Sequence, residues 1–148
     1  MAFFNHRELN SKNLIHKIFD RNPKVNFVIE LENLLCDYEN SLDSLSISYV
    51  KNISSKYNVD LENDFIEERK ELLFRMLTKA LDDSRLDDFE YRQLKHLCSI
   101  LGLDVSLLDM EISNRGSDIY RKKLDEVFAD NFVSPEEKSE LEELRIQL

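Results

Sequence analysis

Two pairs of acids share one spacing. Asp83 is followed seven residues later by Glu90, and Asp130 by Glu137. Each pair brackets a turn residue (Ser84, Asn131), an apolar residue (Leu86, Val133) and a helix-capping residue (Asp87, Ser134). Carboxylates in this pattern can do one of two things. They can ligate a divalent cation, as in calcium loops of the EF-hand type, where the Asp and the Glu would take about the fifth and twelfth positions. They can instead satisfy backbone amides, the Asp in its turn and the Glu near the positive end of the outgoing helix. A hard cation wants about six to eight oxygens. The first and third loop positions would be Lys79 and Leu81 in one unit, Glu126 and Phe128 in the other. The residues themselves therefore favour capping over ordinary calcium binding.

Other chemistry is thinly represented. His6, His16 and His96 are dispersed, and no acid or cysteine stands at ligand spacing from His96. Nucleophile elbows, zinc-protease motifs and glycine-rich phosphate loops are missing from the sequence. Two glycines in 148 residues leave little room for backbone to approach a phosphate closely. Enzymatic activity is not expected. Cys36 and Cys98 fall on apolar stripes without a CxxC, which reads as two buried thiols in a reducing compartment. Phe132 lies in a turn beside Val133 with no helical stripe to join, and is a candidate contact residue.

The elements that would position these groups are helices. Segments 40–60, 84–104 and 131–148 repeat one unit of turn, apolar residue, cap and amphipathic helix. With two glycines and two prolines, the chain lacks the frequent turns of a sandwich or barrel. A short helix is expected after Ser11, with Leu14, Ile15, Ile18 and Phe19 on one face, stopped by Asn22-Pro23. Further helices are expected over 24–37, from Asp43 to Tyr57, over 61–82, from Asp87 to Leu101, over 104–111, over 117–129, and from Ser134-Pro135. Glu67, Glu68, Arg69, Lys70 and Glu71 read as solvated early turns of the 61–82 helix, and Asn114-Arg-Gly116 as a break. Gly102 reads as a left-handed C-cap. The prediction is an all-α single domain over 1–148 of seven to eight helices in repeated hairpins, EF-hand-like in layout with degenerate loops. Residues 1–10 lack periodicity and read as an arm. Leu86 and Val133 are expected to pair across neighbouring turns, so that Leu42, in the divergent unit, matters less than Leu86.

The net charge of −10 is uneven. Residues 1–24 carry five bases against two acids, while residues 104–148 carry twelve acids against six bases. Such a chain repels phosphate backbones and suits a basic partner surface or a divalent cation. Neither a signal peptide nor an apolar run of about 20 residues is visible, which points to a cytoplasmic protein. The basic, amphipathic N-terminal segment could alternatively rest on an anionic membrane.

Val-Ser-Pro-Glu-Glu-Lys at 133–138 and Ile-Leu-Gly-Leu-Asp at 100–104 resemble the tellurite-resistance TerB-like family. The resemblance covers about residues 30–148, and Ser84 and Asn131 stand where members often have glycine. It implies an all-helical hairpin fold and a bacterial stress-response setting. It also implies a metal-binding role for Asp83, Glu90, Asp130 and Glu137, with a weak divalent cation as the one conceivable cofactor. The leading expectation is a non-enzymatic, cytoplasmic adaptor that binds a protein partner or itself. The alternatives are a divalent-metal stress protein and a peripheral membrane adaptor.

Overall fold

The computed structural model describes residues 4–13, 17, 22–129 and 134–147. The protein is all-α, with six α-helices and no strand among these residues. They are α1 (Asn26–Asp37), α2 (Ile47–Tyr57), α3 (Ile66–Ala80), α4 (Asp88–Ile100), α5 (Val105–Val127) and α6 (Pro135–Gln147), with a 3-10 turn at Leu42–Ser44. The helix expected after Ser11 falls largely outside the described residues.

The core is one cluster built from the apolar stripes of α1 to α5. Phe27, Leu31 and Leu35 of α1 meet Leu72, Leu73 and Leu77 of α3 and Leu94, Leu97 and Leu101 at α4. α4 is the central element, packing on α2, α3, α5 and the 3-10 turn. α5 and α6 form a terminal hairpin, in which Val127 and Leu141 are buried. No helix among the described residues is long and apolar enough to cross a membrane.

Three expected boundaries move, each for a physical reason. α3 starts at Ile66, not at 61. Asp60 and Asp64 hold the preceding backbone in a turn: Asp60 Oδ1 accepts the Glu62 amide at 2.9 Å and Asp64 Oδ2 accepts the Asp60 amide at 3.0 Å. Aspartates that bond nearby amides compete with helix. Asn63 and the Glu62 amide hold the Asp60 carboxyl below its ordinary range, and the Asp60 amide and Lys24 do the same for Asp64. α5 runs unbroken through Asn114-Arg-Gly116. A helical glycine costs only about 1 kcal/mol, and here Gly116 is buried while Ile112 and Ile119 pack on the core on either side. Asp43 lies inside the 3-10 turn, and Ser46 caps α2 in its place.

The arm expectation is corrected for residues 4–10, while residues 1–3 lie outside the described residues. Phe4 is 2% exposed and belongs to the core. Residues 5–10 are bonded to α1 through side chains that no periodicity reveals: Asn33 and Asn26 grip the main chain of Arg7 and Asn10.

Arg69 is the largest departure from the expected solvated face. It is 1% exposed and donates to five carbonyls. Nη2 reaches Leu61 at 2.6 Å and Asp64 at 3.1 Å; Nη1 reaches Leu101 at 2.6 Å and Gly102 at 3.4 Å; Nε reaches Phe65 at 3.3 Å. One guanidinium thus ties the turn before α3 to the turn after α4. Burial pushes its pKa below the ordinary arginine range. Gly102 has the left-handed φ of 64° expected of a C-cap, and a Cβ there would meet Arg69 Nη1 at 3.3 Å.

Candidate interaction groove

The turns of the first two repeat units do not lie apart. The 3-10 turn packs on α4, where Gln93 Nε2 donates to Asp43 Oδ1 at 2.5 Å. His96 Nε2 lies 3.0 Å from the Leu45 carbonyl, so this histidine closes the same joint instead of meeting a ligand. Leu42 is 4% exposed and Leu45 is fully buried. Leu86 of the second unit is only half-buried against the core. The order expected from the repeat alignment is therefore reversed: the divergent unit carries the more deeply buried leucine. The pairing of Leu86 with Val133 lies outside the described residues, as do Asp130 and Phe132.

This joint leaves a groove of about 560 Å³. Its floor is Leu42, Met76 and Ala80, and Phe89 stands on its edge, 59% exposed. Glu39, Asp43, Asp87 and Glu90 surround it, with Lys79 as its one lining cation among the described residues. Lys79 is already paired with Asp82, so the acids dominate the field. Phe89 is exposed because it sits in the first turn of α4, off the stripe that carries Leu94, Leu97 and Leu101. That offset, an aromatic residue between Asp88 and Glu90, is the sequence signal that could have found it.

The described members of the proposed acid set are used locally. Asp83 Oδ1 accepts the Arg85 amide at 3.0 Å, and Ser84 takes the left-handed φ of 62° that the turn needs. Glu90 forms a capping box with Asp87: its Oε2 accepts the Asp87 amide at 3.0 Å, and Asp87 Oδ1 accepts the Glu90 amide at 2.7 Å. Glu137 and Ser134 repeat the box at 2.8 Å and 3.1 Å. Among the described residues no three His, Cys, Asp or Glu side chains gather as a metal set. The repeat is thus visible atom by atom as a repeated cap.

Both cysteines are free. Cys98 is buried, and its pKa is pushed up to about 11, first by desolvation and then by Asp104 and Asp109. Cys36 is half-buried, and burial followed by Glu32 raises its pKa also. Neither thiol has the electropositive, exposed setting of a reactive cysteine. His6 Nε2 sits 3.1 Å from Asp37 on the surface. Two half-exposed basic groups of the N-terminal region make ion pairs with acids of the fold, Arg7 with Glu32 at 3.5 Å and Lys24 with Asp64 at 3.0 Å.

No protein-family model, curated protein or solved structure matches this chain.

Proposed function

We propose that the protein is a non-enzymatic interaction module of TerB-like type, and that the groove between the 3-10 turn, α3 and α4 takes a basic, amphipathic segment of a protein partner. The observation that carries this reading is Phe89, an aromatic side chain held in solvent at the edge of an apolar floor and ringed by acids. Aromatic anchors with complementary charge at the rim are the usual source of affinity and partner choice in such contacts. An amphipathic helix would lay leucine-like residues over Met76 and Phe89 and bring lysines to Glu39 and Asp43. In this reading the hairpins keep an EF-hand-like layout, while their loops wall the groove. The resemblance of residues 100–104 and 133–138 to the TerB-like family supports a stress-response setting for this module.

The test is fluorescence anisotropy with a labelled Lys/Leu amphipathic peptide of about 18 residues. Burying Phe89 in a complex contributes about 1.5–3 kcal/mol, so Phe89→Ser should weaken binding by about tenfold or more. Glu39→Lys should weaken it and flatten its salt dependence. Ile146→Ser, at another exposed apolar residue, should leave it unchanged. Equal affinity for wild type and Phe89→Ser would refute the groove.

A further inference from the structure

Residues 4–10 lie along α1 as a strap, and the way they are held is that of a peptide in a receptor. Asn33 uses both ends of its amide on one residue of the strap: its Oδ1 accepts the Arg7 amide at 2.8 Å, and its Nδ2 donates to the Arg7 carbonyl at 2.9 Å. Asn26, seven residues earlier and so on the same face of α1, treats Asn10 identically, at 2.7 Å and 2.8 Å. These four bonds read main chain and are indifferent to side chains. The N–H of Asn5 donates to Glu32 Oε1 at 3.3 Å.

Side-chain selection comes chiefly from two positions, with His6 adding an exposed contact to Asp37 at 3.1 Å. Phe4 enters the core. The Arg7 guanidinium faces Glu32, whose side chain is almost wholly buried and anchored from below by Arg75 at 2.6 Å. Glu32 Oε2 makes no hydrogen bond, and Arg7 stands 3.5 Å from it. The strap's own arginine therefore meets this acceptor as an ion pair and not as a hydrogen bond. His6, Glu8 and Leu9 face solvent.

The geometry points to a second binding site on α1: a receptor for an extended segment with an aromatic residue and, three positions later, an arginine, filled in cis by residues 4–10 and open to a partner segment of the same chemistry in trans. This site is distinct from the groove at Phe89 and does not rest on it. Main-chain pairing by Asn26 and Asn33 supplies register, the Phe4 cavity supplies the anchor, and Glu32 supplies the charge preference. The cis strap is the competitor that such a segment must displace. Tethering gives the strap an effective concentration of the order of millimolar, so the site is closed at rest. It opens to a segment that fills Glu32 Oε2 better.

The test uses the full chain and a fluorescent peptide copying residues 1–12. Wild type should bind it weakly, because the cis strap occupies the site. Phe4→Ala, which loosens the strap, should bind it at least tenfold more tightly. Adding Asn33→Ala should remove that gain, and a peptide carrying Arg7→Glu should not bind. Circular dichroism checks the Phe4→Ala chain; if it does not fold, Arg7→Ala, which removes only the ion pair to Glu32, serves as the loosened strap and should give a smaller increase of about threefold. Equal binding to wild-type and loosened chains, or binding indifferent to Asn33→Ala, overturns the proposal. Hydrogen exchange of the wild type adds an independent reading. Protected amides at Asn5, Arg7 and Asn10 are expected, and unprotected ones would show that no strap exists to be displaced.

Discussion

Replacing Arg69 by methionine should be among the most damaging single changes outside the apolar core. The guanidinium donates to five carbonyls, and two of those bonds, to Leu61 and Leu101, measure 2.6 Å. Hydrogen bonds to a charged group contribute about 1.5–3 kcal/mol each net, and a buried acceptor left unpaired costs about 1–3 kcal/mol. Methionine fills much of the volume and removes the cost of desolvating a cation, which offsets part of the loss. The three longer bonds, at 3.1–3.4 Å, add less. The expected destabilisation is about 3–5 kcal/mol, a large part of the roughly 5–15 kcal/mol that holds a domain of this kind together. Urea unfolding followed by circular dichroism reads it directly. With an m-value of about 2 kcal/mol/M, the midpoint should fall by about 1.5–2.5 M with m unchanged. Arg69→Lys should recover little, because one ammonium cannot span the 61–64 turn and the 101–102 turn together. A loss below about 1 kcal/mol for Arg69→Met would refute the idea that this side chain ties the two turns.

Three further outcomes follow from the same structure. Leu42→Ala should cost about 2–5 kcal/mol and Leu86→Ala clearly less, since only Leu42 is fully buried; thermal melts that rank them the other way would contradict the packing of the 3-10 turn on α4. Burial raises the Cys98 pKa to about 11, so the unfolded chain loses this proton first. The thiol's contribution is complete below the unfolded pKa of about 8.5 and is lost as pH rises from there toward the folded value; Cys98→Ala should flatten that alkaline decline in chemical-denaturation series, and an unchanged slope would exclude Cys98 as its source. Calorimetric titration with calcium should show no micromolar-affinity heat, because Asp83, Glu90 and Glu137 are committed to backbone amides; heat that vanishes in Asp83→Ala with Asp130→Ala would restore the cation site.

The amino-acid sequence by itself determined the local structure. Helix content follows from apolar spacing and from the scarcity of glycine and proline. The starts at Asp87 and Ser134, with Glu90 and Glu137 closing the boxes, follow from contacts within one turn of chain. The left-handed turns at Ser84 and Gly102 are likewise set by residue type and near neighbours. Such interactions span a few residues, so their pattern is written in adjacent letters.

Tertiary structure decided whatever depends on distant chain segments meeting. Arg69 looked solvated among Glu67, Glu68 and Lys70; it is buried because carbonyls 32 and 33 residues away require a donor. Phe4 looked like part of an arm; it is core because Asn26, Asn33 and Glu32 satisfy the main chain that leads to it. The α5 helix continues through Gly116 because packing by Ile112 and Ile119 outweighs a helix penalty of about 1 kcal/mol. Leu42 outranks Leu86 because the first turn packs on α4 and buries Leu42, while Leu86 is only partly covered by the core. Burial is a property of the assembled solid, and a repeat in the sequence assigns equal roles to equivalent residues that packing then makes unequal.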